Sequence, residues 1–82
     1  MPTRRNPYPA WVLAQRSQLG HRIASLRQAA GLSQDQLAVR AGMDRRSIQR
    51  YEAGSRDPRF SDLLLIAHAL DTSLVALLAD QE

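Results

Sequence analysis

Apolar side chains recur along this chain at helical spacing in five runs, and no segment alternates apolar and polar positions as a half-buried strand would. The first stripe, Val12, Leu19, Ile23, Leu26 and Ala30, predicts a helix that Pro9 fits at its first turn and Gly31 ends. Trp11 and Leu13 fall off this stripe, so they either cover the far end of the domain or stand exposed. After Leu32 come two short helix patterns. Ser33 caps the first, and Leu37, Ala38 and Ala41 form its buried face. Gly42 is free to take the left-handed conformation that turns the chain sharply into the second. Asp44 caps that second helix, Ile48 and Tyr51 face inward, and Gly54 closes it. A polar connection, Ser55 to Pro58, leads through Arg59 to an apolar helix from Phe60 to about Leu70, with Leu63, Leu64, Ile66, Ala67 and Leu70 as its core face. Asp71 and Thr72 break the pattern. Ser73 then caps a last short helix containing Leu74, Val75, Leu77 and Leu78. The expected architecture is all-α, five helices around one core.

The two short helices are the informative part. Their steep crossing needs a small residue at Ala38, and the face of the second helix left outward carries Arg45, Arg46, Gln49 and Arg50. Side chains projecting from the first turns of such a helix are those a DNA major groove receives.

Charge strengthens this reading. All 11 basic residues are arginines, and all lie between Arg4 and Arg59. That stretch holds four acids, Asp35, Asp44, Glu52 and Asp57, for a net charge of +7; from Phe60 onward four acids stand alone at −4. A polyanion is met with one side of the molecule. Length and composition predict one domain, residues 10–80, after an extended basic arm, residues 1–9, whose Arg4 and Arg5 could enter a minor groove. With no cysteine, neither disulfides nor a thiolate zinc site is expected. The absence of a long apolar run or signal peptide predicts a cytoplasmic protein that makes no use of membranes.

Other chemistry is sparse. His21 and His68 stand alone without ligand neighbours, which predicts no metal, and Ser25, Ser33, Ser47 and Ser61 lack a partnering His and acid. No catalytic residue, enzyme activity or cofactor is expected.

From about Leu19 to Leu78 the sequence LGHRIASLRQAAGLSQDQLAVRAGMDRRSIQRYEAGSRDP, followed by LLLIAHAL and SLVALL, resembles the Cro/CI-type helix-turn-helix family, also called XRE or lambda-repressor-like. The resemblance implies a compact five-helix domain with its reading head at helices two and three. It implies that Arg45, Arg46 and Arg50 contact base edges. It gives Gln34 a phosphate contact and a bracing role against the reading helix, and Ser47, Arg56 and Arg59 match or adjoin backbone-contacting positions. It further implies a partly buried ion pair between Arg27 and Glu52. Two positions depart from the pattern: Asp71 stands where a helix-ending Gly is common, and Thr72 where an apolar residue is usual.

The resulting expectation is a small transcriptional regulator that binds double-stranded DNA sequence-specifically as a homodimer on a two-fold operator. Trp11, Leu74, Val75, Leu77 and Leu78 are the candidate dimer surface. A protein-interaction module or antitoxin component of the same fold, with a protein partner, is the alternative. So is the controller protein of a restriction-modification system.

Overall fold

The computed structural model describes residues 8–79, in the order α1 (Ala10–Ala29), α2 (Gln34–Ala41), α3 (Arg45–Glu52), α4 (Phe60–Ala69) and α5 (Leu74–Leu78). No strand occurs among the described residues. Most of the arm, including Arg4 and Arg5, lies outside them, as does Asp80.

Helix boundaries follow local chemistry. Pro9 sits at the N-cap of α1, one position earlier than the first-turn site the sequence suggests. Ser33 and Gln36 form a reciprocal capping box at α2, the Gln36 N–H donating to Ser33 Oγ (3.0 Å) and the Ser33 N–H to Gln36 Oε1 (2.8 Å). Asp44 accepts the Ser47 N–H at 2.7 Å, and Ser73 accepts the Ala76 N–H at 3.0 Å. Gly42, at φ +70°, makes the left-handed turn between α2 and α3. Asp71 adopts φ +60°, so the place where the family commonly has Gly keeps its left-handed backbone with a different residue.

Ile23, Leu37, Ala38, Ile48, Tyr51, Leu63, Ile66, Ala67 and Leu77 form the core, with Leu19, Leu26, Leu32, Leu70 and Leu74 packed around it. Two expected core positions are corrected. Ala30 is the exposed C-cap of α1, in a last turn whose residues 28–30 all stand clear of the core. Leu64 is 44% exposed: α4 buries positions 63, 66 and 67, and residue 64 is rotated about 100° from 63 onto the outer flank.

Trp11 is 69% exposed and does not fold back over α5. On α5 the four apolar residues divide. Leu77 is fully buried and Leu74 partly so, whereas Val75 and Leu78 face outward. Leu77 is therefore withdrawn from the candidate dimer surface; its side chain is already committed to the core of its own chain.

Candidate nucleic-acid interface

At about 100° per residue, Arg45, Gln49, Arg46 and Arg50 fall within an arc of about 140° on α3, Ile48 and Tyr51 fall on the opposite side, and Glu52 flanks the arc next to Arg45. The solvent boundary follows this division. Arg45, Arg46 and Gln49 are exposed, Arg50 is half-buried at the edge of the arc, and Ile48 and Tyr51 belong to the core. An exposed three-residue cationic and amide face thus stands on a helix that cannot rotate without unpacking the domain.

Glu52 ties α3 to two neighbouring helices. Arg27 of α1 donates from Nε to Glu52 Oε2 at 2.7 Å and from Nη2 to Glu52 Oε1 at 3.1 Å, a two-pronged pair whose side chains are 12% and 7% exposed. Its remaining terminal nitrogen reaches the Leu32 carbonyl at 2.8 Å, so the guanidinium also pins the approach to α2. Gln34, at the start of α2, donates from Nε2 to Glu52 Oε1 at 2.9 Å. The expected bracing of the reading helix by Gln34 is therefore present, and it runs through the carboxylate of Glu52. Such fork-to-fork pairing fixes orientation as well as distance.

Two further contacts hold the helix, and neither was anticipated from sequence. Arg16 donates from Nε to the Gly54 carbonyl at 3.0 Å, placing a cation at the C-terminal end of α3 where the helix dipole favours it. Tyr51 donates its hydroxyl to Asp62 of α4. Burial, followed by this bond to a carboxylate, pushes the Tyr51 hydroxyl above its ordinary pKa. Arg16 has no local signal because its partner is 38 positions away. Gly20 did carry one. A glycine in the middle of a 20-residue helix indicates close backbone approach, and a Cβ there would lie 2.5 Å from the carbonyl oxygens of Tyr51 and Glu52.

Beside the outward face of α3 lies a shallow polar cleft lined by Ser47, Arg56 and Arg59, together with Asp44, Tyr51 and Asp62. The structure thus brings together three of the four residues expected to meet the DNA backbone; the fourth, Gln34, lies apart, with its amide on Glu52. Both carboxylates in the cleft are occupied, Asp62 by the Tyr51 hydroxyl and Asp44 by the Ser47 N–H. The latter bond holds the Asp44 carboxyl below its ordinary pKa. One more acid reaches the reading face: Asp35 Oδ1 lies 3.6 Å from Arg45 Nε.

A family model described as a helix-turn-helix domain matches residues 18–80. Among solved structures, the restriction-modification controller protein C.AhdI from Aeromonas hydrophila is 38% identical, with 78% of this chain and 97% of that chain covered and a TM-score of 0.77. The clp gene regulator ClgR from Corynebacterium glutamicum is 25% identical, covering 78% of this chain and 68% of its own, with a TM-score of 0.74. A mutant of the restriction-modification controller protein C.Esp1396I is 30% identical over 77% of this chain and 80% of its own, with a TM-score of 0.72. No curated protein sequence matches the chain.

Proposed function

Because the chain belongs to the helix-turn-helix family of the Cro/CI type, we propose that it is a transcriptional regulator that reads double-stranded DNA sequence-specifically with α3 in the major groove. The observation that carries this reading is the outward arc of Arg45, Arg46 and Gln49 on a helix braced by Arg27 and Gln34 through Glu52. Arginine forks onto guanine O6 and N7, and a good bidentate contact discriminates by about 1–3 kcal/mol. Arg50, at the edge of the arc, joins Arg45, Arg46 and Gln49 in facing the bases, while Gln34, Ser47, Arg56 and Arg59 grip phosphates and set the register without carrying sequence information.

One such head spans few base pairs, so useful selectivity calls for two heads on a two-fold site. Trp11, Val75 and Leu78, all more than half exposed, supply the dimer surface, and Phe60 of α4 adds an exposed apolar ring that the sequence pattern did not single out. Within this class, the role of restriction-modification controller is favoured over other regulators by the 38% identity to C.AhdI, which extends over nearly that whole protein. Selection of bound duplexes from a random library tests the function directly. A recovered half-site repeated about a two-fold axis supports it, and an unenriched pool refutes it.

A further inference from the structure

Asp35 and Arg45 are both more than half exposed at their side chains, so their ion pair does little to hold the fold. Its importance lies in which part of the arginine it takes. A guanidinium has a side edge, formed by Nε and one terminal nitrogen, and an end edge formed by the two terminal nitrogens. Asp35 lies against Nε. The two terminal nitrogens of Arg45 make no hydrogen bond among the described residues, so the end edge is the one left to fork onto the O6 and N7 of a guanine.

The position of Asp35 is itself fixed. It is the second residue of α2, in the first turn behind the Ser33 capping box, where the helix dipole favours a carboxylate. Its neighbour Gln34 ties that turn to Glu52 of α3. An unrestrained arginine on a helix surface reaches phosphates as readily as bases, and a phosphate contact carries no sequence information. With Asp35 in place that alternative is penalised, because an Arg45 that swings to a phosphate leaves a carboxylate uncompensated beside a polyanion. The nearby Asp44 does not substitute for it, since its carboxylate caps α3.

We propose that Asp35 is a positioning residue for Arg45, holding the side edge of the guanidinium so that the end edge meets the base. This rests on the base-reading role proposed for Arg45. The test uses the full chain and three sets of DNA: the duplex that wild type selects from a random library, that duplex substituted singly at each base pair of the half-site, and an unrelated duplex. Wild type is compared with Asp35→Asn, Arg45→Ala and the double variant, with thermal melts to show that all four fold. Arg45→Ala is expected to abolish preference at one base pair. Asp35→Asn should lower preference at that same base pair by about tenfold, within the coupling found between contacting residues, while binding the unrelated duplex more tightly. In the Arg45→Ala background, Asp35→Asn should alter no base preference. A uniform change on every duplex, a change at a different base pair, or an undiminished change in the Arg45→Ala background would each overturn the positioning role. If Arg45→Ala itself leaves every preference intact, the base-reading role of Arg45 falls and the positioning role with it. Loss of preference with Arg45→Ala but not with Asp35→Asn refutes positioning alone.

Discussion

The single hydrogen that serves as the side chain of Gly20 sets how closely α1 approaches the last turn of α3. A methyl group there meets backbone carbonyls, which cannot swing aside as a flexible side chain would. Gly20→Ala gains about 1 kcal/mol of helix propensity, yet should still destabilise the fold by about 1–3 kcal/mol through overpacking. A thermal melt should show a drop of roughly 4–8 °C for each kcal/mol lost; an unchanged or raised melting temperature would mean that the close approach is not tight. Tyr51 makes a second prediction at this scale. Its raised pKa means that the folded state holds the phenolic proton more tightly than the unfolded state does, so its stabilisation is present below about pH 10 and lost as pH rises through the folded value. The chain has no lysine or cysteine, and its other tyrosine, Tyr8, is 41% exposed with its hydroxyl on the exposed Asp57. Denaturant midpoints of wild type should therefore fall above pH 10, and those of Tyr51→Phe should fall much less; parallel curves would contradict the assignment. The caps at Ser33, Asp44 and Ser73 were legible in the sequence because donor and acceptor lie within three residues. The partner of Arg16 lies 38 positions away and leaves no such local trace, and Gly20 signals a close approach without naming what approaches.

Among the elements, α3 is oriented by α1 and α2 through one carboxylate. Glu52 receives both prongs of Arg27 and the amide of Gln34 in a site nearly closed to solvent. Glu52→Ala strands the Arg27 guanidinium and should cost about 3–5 kcal/mol, because breaking a buried pair leaves a desolvated charge without a partner. Urea unfolding monitored by circular dichroism checks this, and a loss below about 1 kcal/mol, as for an exposed pair, would contradict it. All five helices were legible as periodic stripes, whereas the Arg27–Glu52 pair was reachable only through family resemblance, since spacing alone does not bring residues 25 positions apart together. The misreading of Leu64 has a physical origin. In a run as apolar as Leu63 to Ala67, composition no longer marks the inward face, and helix phase set by α2 and α5 decides it.

For the whole molecule, chemistry is divided between two surfaces. The α3 arc and the cleft of Arg56 and Arg59 offer cations, while Trp11, Val75 and Leu78 offer apolar area on α1 and α5. Val75→Glu and Leu78→Glu together leave the core residue Leu77 untouched. They should convert a dimer at micromolar concentration into a folded monomer by sedimentation; a monomer in both cases, with a selected site lacking two-fold symmetry, would contradict the dimer. In the proposed dimer the two α3 helices lie about one DNA turn, roughly 34 Å, apart. The charge asymmetry of the sequence points to the side proposed to face DNA, but the division of α5 into buried Leu77 and outward Val75 and Leu78 required the fold. The central claim is that α3 reads bases, and the most direct measurement is library selection with wild type and Arg46→Ala side by side. The variant should recover the same half-site with preference relaxed at one base pair and specific binding weaker by about 1–3 kcal/mol; an unchanged half-site at unchanged affinity would contradict the base-reading role of α3 at Arg46.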